Sequence, residues 1–392
     1  MVDSSPTSSA PVQDDRVSRL AAHSLRLIVD LQTPDGAYPA SPTFSAYVGY
    51  CWLRDGAFIA DAASTAGAVD SASRFFDWCA RVIEARREQI NAIVRDNDAG
   101  TPTPGERMLP ARFTFDGGDG EDDWWDFQLD GYGTWIWALS EHLTRTGLDG
   151  GHYRASVALT VDYLLACWSR PCYDWWEEHA EHVHTSTLTC ICAGLDAAVA
   201  AGLVTDARAE AASAATAAIK KMIVGDAVRD GHLIKWLGST AVDGSLAAAI
   251  APLGVVEARS DVASRTLAAL ESHLTVDGGT HRYLGDTFFG GGQWPLLSCF
   301  LGLAHDAAGD RRRANELFDW AASTATPDLE LPEQVDTHLI APGMRDEWIQ
   351  RWGPVATPLL WSHAMLLRLG IQIGRIDATM LTPAPSRLEG TA

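Results

Sequence analysis

Apolar residues recur at helical spacing along nearly the whole chain, and the helices they predict are of two kinds. Those over 186–201, 294–308 and 358–373 are apolar on every side. Those from 70 past 86, over 206–224 and over 311–324 carry a polar face. A helix apolar all round is buried, and one with a polar face is external. Alternation of the two kinds is what a closed ring of inner helices wrapped by outer helices requires. The other expected helices cover 15–32, 54–67, 128–146, 153–169, a short segment opened by Asp243, and 256–273, which makes twelve. Strand signals are almost absent, and no linker divides the chain. The expected fold is therefore all-α: an (α/α)6 barrel of six inner and six outer helices, one domain over 15–375. Residues 1–14 and the tail 376–392 are expected to be disordered. An irregular α-solenoid is the second choice, and the lack of a fixed-period repeat counts against it.

Several local signals refine this outline. Asp70 reads as a cap of the third helix, and Thr185, Ser186 and Thr187 read as the N-cap of the sixth. Thr357 and Pro358 read as the cap and first residue of the twelfth. The stretch 97–126 is rich in Gly, Pro and Asp. An irregular segment of that length in a compact domain is usually functional or disordered.

Charge narrows the function classes. A formal net charge of −21 argues against nucleic acid, anionic membranes and acidic polymers as partners. A small neutral ligand remains. The 15 tryptophans cluster with carboxylates more than in apolar runs. Aromatic faces beside hydrogen-bonding acids suit sugar rings. The N-terminal segment reads as no signal peptide and no apolar run approaches a membrane span. The 7 cysteines show no metal-like spacing and read as reduced, buried thiols of a cytoplasmic protein. A monomer or a dimer fits equally well.

Five stretches join polar and aromatic residues just before inner helices, at one end of the expected ring. The first, 47–55, holds Tyr47, Trp52, Arg54 and Asp55. The adjacent Arg and Asp could fork-bond the hydroxyls of one sugar ring. The second, 124–133, holds Trp124, Trp125 and Asp130. In the third, Asp174 and the indoles of Trp175 and Trp176 precede Glu177 and Glu178. A carboxyl held against indoles is poorly hydrated, which raises its pKa and suits a general acid. The fourth runs from His281 through Arg282 and Asp286 to Trp294. The fifth pairs Glu333 and Gln334 with Trp361, Ser362 and His363 downstream. Each alone also reads as a cap, a core aromatic or a surface salt bridge. His182 and His184 lack a third ligand by spacing, so no metal is expected. His363 on an apolar helix reads first as a core histidine.

In content and order these five motifs resemble the glucoamylase-like glycoside hydrolases, family 15. The resemblance spans Tyr47 to Ala364. It implies an (α/α)6 catalytic barrel and inverting hydrolysis with no metal or organic cofactor. It implies Glu177 as general acid and Glu333 as general base. Glu178 would bind substrate beyond the scissile bond, and Arg54 and Asp55 would clamp the non-reducing glucose. Arg282, oriented by Asp286, would contact sugar hydroxyls. Tyr47, Trp52, Trp125, Trp176 and Trp361 would line the pocket. Inverting chemistry needs the two carboxyls roughly 6.5–9.5 Å apart, with room for a water. Glu333, in a Pro-punctuated polar loop, is expected to be solvated and ionised.

The chain departs from relatives that carry an N-terminal β-sandwich or a starch-binding domain. Its first motif also departs, since Val48 and Gly49 separate Tyr47 from Tyr50. A short α-1,6-linked glucoside such as isomaltose is the expected substrate, with an α-1,4-, trehalose- or dextran-type activity as the alternative. Two readings of other kinds are an epimerase or lyase with His184 or His363 as base, and a non-catalytic sugar-binding barrel.

Overall fold

The computed structural model describes residues 12–122, 124 and 126–381. Its helices are α1 (Val12–Leu31), α2 (Leu53–Thr65), α3 (Val69–Ala85), α4 (Arg87–Asp98), α5 (Asp130–Thr146), α6 (Arg154–Cys167) and α7 (Thr185–Ala200). They continue as α8 (Asp206–Gly225), α9 (Ala247–Ile250), α10 (Asp261–Leu274), α11 (Pro295–Ala308), α12 (Arg311–Ser323), α13 (Arg345–Trp352) and α14 (Leu360–Gln372).

Packing sorts them into two rings. Helices α2, α5, α7, α9, α11 and α14 each touch the next, and α14 returns to α2. That closed circuit is the inner ring. Helices α1, α3, α6, α8, α10 and α12 pack outside it, each against inner neighbours. The sequence dictates the sorting. Every residue of α2 from Leu53 to Ser64 is buried. In α8 only Ala212, Ala215, Thr216, Ile219 and Ile223 are buried, a stripe at helical spacing. Helices α5 and α7 approach most closely at two glycines. A Cβ at Gly133 would lie 2.2 Å from the Cys190 carbonyl oxygen, and one at Gly194 would lie 2.4 Å from that of Gly133.

Rings from several elements fill the barrel axis. Phe58 stacks on Trp361 at 5.5 Å, Phe300 lies edge-on to Phe58 at 5.1 Å, and Trp175 meets Trp361 at 5.6 Å. Such pairs add roughly 0.5–1.5 kcal/mol each beyond burial. They close the barrel into a cup open at one end.

The helical outline agrees with the expected one, with local corrections. The third expected helix breaks at Arg86 into α3 and α4. Asp70 sits in the first turn of α3, where it favours the positive helix end without capping it. His184, in extended backbone, precedes α7, and Thr185 Oγ1 donates to the Ile234 carbonyl instead of capping. Helix α10 starts at Asp261 because Ser260 Oγ accepts the Ala263 N–H. Helix α14 starts at Leu360, after extended Leu359, so Pro358 lies ahead of its first turn. Helix α13 was not expected at all. Ile376 and Leu381 are buried, so order continues beyond 375. The segments 1–11 and 382–392, expected to be disordered, lie outside the described residues.

Candidate active site

The chain enters three inner helices through the wall of one cavity. Trp52 precedes α2, Trp294 precedes α11 and Leu359 precedes α14, and all three line it. The cavity encloses ≈ 240 Å³ at the N-terminal end of the inner ring. That is below the roughly 300–1,000 Å³ of drug-sized ligand pockets, so the space suits a small molecule rather than a polymer strand.

Two carboxyls share this space. Glu177 takes a left-handed φ of 59°, uncommon for a non-glycine residue. Its Oε1 accepts from Arg54 Nη2 at 3.2 Å and from Gln128 Nε2 at 3.1 Å. Burial raises its pKa to about 7, against the lowering pull of Arg54. Glu333 is 2 % exposed, which overturns its expected place as a solvated surface acid. Its Oε1 accepts the Tyr47 hydroxyl at 2.8 Å, while its buried Oε2 has no protein partner. Burial raises its pKa to about 8, opposed by the Tyr47 hydrogen bond and the charge of Arg282. Both carboxyls thus titrate near neutrality, where proton transfer in either direction is cheapest.

Two arginines frame the pair. Arg54 is almost wholly buried and donates through Nη1 to Gln128 at 2.8 Å and to Asp130 at 3.0 Å. Its Nε lies 3.5 Å from Asp55, whose pKa burial raises to about 6. Planar donors fixed on several acceptors hold the guanidinium in one place. Arg282 lies over Trp176 at 5.2 Å and reaches Glu178 at 3.5 Å, while Tyr283 donates its hydroxyl to the other Glu178 oxygen. Asp286 is fully buried behind Arg282 and holds its Nε at 2.8 Å. Asp286 is not among the residues that line the cavity.

The long irregular stretch builds one side of the cup. Strand β1 (Tyr50–Trp52) pairs antiparallel with β2 (Arg112–Thr114). Arg112, 1 % exposed, lies 3.7 Å from the Tyr50 ring centre and 4.1 Å from that of Trp124, and pairs with Asp122 at 2.6 Å. This fixes Trp124 against the cavity. Helix α13 supplies the facing wall through Trp348, Arg351 and Trp352, with Trp352 stacked on Trp124 at 6.3 Å.

Of the expected site residues, Tyr47, Trp52, Arg54, Asp55, Trp176, Glu177, Glu178, Arg282, Glu333 and Trp361 all line this cavity. Trp125 lies outside the described residues. His363 is a core residue: Ser24 Oγ lies 2.8 Å from its Nδ1 and the Leu331 N–H donates to its Nε2. Burial lowers its pKa to about 3. His184 is buried against the His179 carbonyl, and neither histidine lines the cavity. No cluster of three metal-ligating side chains occurs among the described residues. Three features lie outside the expected set: Gln128 as a partner of Glu177, Lys235 behind the acid stretch, and the α13 wall. For α13 a signal existed: Trp348, Arg351 and Trp352 recur at helical spacing.

The sequence model for glycosyl hydrolases family 15 matches residues 16–310. The chain is 53 % identical over 363 residues to an isomaltose glucohydrolase of Kribbella flavida, covering 92 % of this chain and 94 % of that protein. A solved glycosidase, 50 % identical, superposes with a TM-score of 0.92 over 94 % of this chain and all of the other. A variant of that glycosidase has been solved in complex with glucose. A bacterial glucoamylase complexed with acarbose is 21 % identical and shares the fold at a TM-score of 0.70, over 92 % of this chain and 57 % of its own.

Proposed function

The chain belongs to glycoside hydrolase family 15, and from that premise we propose that it is an inverting, exo-acting α-glucosidase releasing β-glucose from the non-reducing end of short α-1,6-linked glucosides such as isomaltose. The observation that carries this reading is the cup itself. Two carboxyls, buried Glu333 and half-buried Glu177, face one small cavity whose axial end is closed by Phe58, Trp175 and Trp361. A closed end admits a chain terminus and excludes a through-running polymer, which favours exo action. The α-1,6 linkage is supported by the identity to the isomaltose glucohydrolase.

In the proposed reaction Arg54 and Asp55 hold hydroxyls of the terminal glucose, and Trp52, Trp176 and Trp361 cover its apolar faces. Glu178 and Arg282 face the departing sugar. Glu177 gives its proton to the glycosidic oxygen as the C–O bond breaks. Glu333 takes a proton from the water that attacks the opposite face of the anomeric carbon, which gives inversion. These roles rest on position. The order of the two pKa values runs the other way, about 7 at Glu177 and about 8 at Glu333. Substrate supplies the correction. A glycosidic oxygen is a hydrogen-bond acceptor and draws the proton to Glu177. An attacking water is a donor and favours the carboxylate at Glu333.

A reducing cytoplasm as the place of action is supported by the seven cysteines, all buried and unpaired. The test is a proton NMR time course on isomaltose, with maltose in parallel. Prompt β-glucose from isomaltose with little from maltose is expected. Faster release from maltose would move the enzyme to the α-1,4 side, and prompt α-glucose would overturn the inverting assignment.

A further inference from the structure

The general-acid stretch rests on a buried cation that does not reach the cavity. Lys235 is 3 % exposed and follows the short strand His232–Leu233. Its Nζ pairs with Asp174 at 2.8 Å and also with Asp243. Each carboxylate has a second task. Asp174 Oδ1 accepts the backbone N–H of Trp176 at 2.9 Å and of Glu178 at 3.0 Å. The Asp174 N–H donates to the Glu178 carbonyl at 3.0 Å, and the Glu177 N–H to the Asp174 carbonyl at 3.1 Å. These bonds close the turn in which Glu177 and His179 both take left-handed φ values, 59° and 57°. Such a conformation persists in non-glycine residues only where the surroundings over-determine it. Asp243 accepts the Trp176 indole N–H at 3.0 Å and so fixes a ring that lines the cavity. Lys235 Nζ also lies 4.1 Å from the ring centre of Tyr283, whose hydroxyl donates to Glu178.

One ammonium therefore touches the supports of three cavity residues: Glu177 through its turn, Trp176 through its indole, and Glu178 through Tyr283. A pair serving stability alone would need none of these connections. Resting on the functional reading above, we propose that Lys235 is a positioning residue, which together with Asp174 and Asp243 presets the strained turn presenting Glu177 and Glu178 to the glycosidic bond. Lys235 touches no substrate. It acts by holding the acid where the leaving oxygen will be.

The test compares the full-length wild type with Lys235→Met and with Lys235→Met/Asp243→Asn. The double variant keeps the trio's net charge, because one cation and one carboxylate leave together, and so answers for a single variant that fails to fold. Folding is checked by circular dichroism and thermal melting, and activity by kcat and KM on isomaltose. A misplacement of about 1 Å costs about 100-fold in rate. Both variants are therefore expected to lose kcat on that order, with KM within about threefold of wild type. The alkaline limb of the kcat profile gives a separate readout. The titratable and charged groups facing Glu177 are Arg54, Asp55, Glu333 and Tyr47, and Lys235 sits behind the same turn on Asp174. Losing that cation favours the protonated acid, so the limb moves to higher pH in Lys235→Met and stays in place in the double variant. Either variant, folded and with kcat within about threefold of wild type, overturns the proposal even if its melting temperature falls. Wild-type turnover of isomaltose is the reference. Its absence would overturn the functional reading alone, and the Lys235 ratio would then be read on the α-glucoside the wild type does hydrolyse.

Discussion

Both ends of the inner ring bury carboxylates beside arginines, and they treat them differently. At the end away from the cavity Asp61, near the C-terminus of α2, is 1 % exposed. Arg145, in the last turn of α5, meets one of its oxygens at 2.8 Å, and Arg368 of α14 meets the other at 3.0 Å. Arg145 also donates to Ser64, which bonds the ring of buried His142. Acceptors there are matched by donors, and the arginines complement the negative helix ends. At the cavity end the same chemistry is left incomplete. Buried Oε2 of Glu333 and Oδ2 of Asp55 have no hydrogen-bond partner in the protein. Burial raises the pKa of Glu177, Glu333 and Asp55 together. Completed pairs hold the barrel shut. Incomplete ones keep protons near the point of exchange and leave lone pairs for a ligand.

That contrast predicts opposite phenotypes for substitutions at the two ends. The largest effect is expected at the cavity. Glu177→Gln and Glu333→Gln should each lower kcat by about 1,000-fold or more, since a positioned acid or base contributes about 100- to 10,000-fold. Steady-state kinetics on isomaltose measures this, and near-normal turnover in either variant would remove that residue from its role. Next in size is the far end. Asp61→Ala leaves two arginines facing an emptied acceptor site and should cost roughly 3 kcal/mol of stability. Its kcat per folded molecule should stay near wild type. If Asp61→Ala kept its stability but lost its rate, the division between a structural end and a chemical end would be wrong.

How far the sequence revealed these regions differs in the same way. The ring was legible because burial writes itself as periodicity: α7, α11 and α14 are apolar throughout, and α8 carries a narrow stripe. The cavity-facing motifs were legible because polar and aromatic residues before buried helices must converge at one end. What stayed hidden depended on contacts distant in sequence. Glu333 looks solvated in its own loop, and only Tyr47 and the surrounding tryptophans bury it. Lys235 looks like any loop lysine until Asp174 and Asp243 close on it. Helix α13 has no fully buried residue, and its short Trp348, Ile349 and Trp352 face is a weaker signal than the long apolar runs of the inner helices.

The smallest expected effect is also the sharpest separation of the two ends, because its sign reverses. A carboxyl whose folded pKa lies above its unfolded value binds more protons folded than unfolded between the two. Stability therefore falls with rising pH across that interval. For Glu177 and Glu333 the interval runs from the ordinary 4.5 up to about 7 and about 8. Their contribution is fully present below 4.5 and is lost as the pH rises through the folded values. Replacing either by glutamine removes the cost of burying a charge. Glu177→Gln and Glu333→Gln should thus be more stable than wild type at pH 8, with the advantage fading toward pH 4.5. Chemical denaturation at the two pH values measures it. Asp61→Ala should show no such gain, because Asp61 is paired rather than stranded. A loss of stability at pH 8 in the two glutamine variants would mean that the cavity carboxyls, like Asp61, hold the barrel together, and the contrast between the ends would collapse.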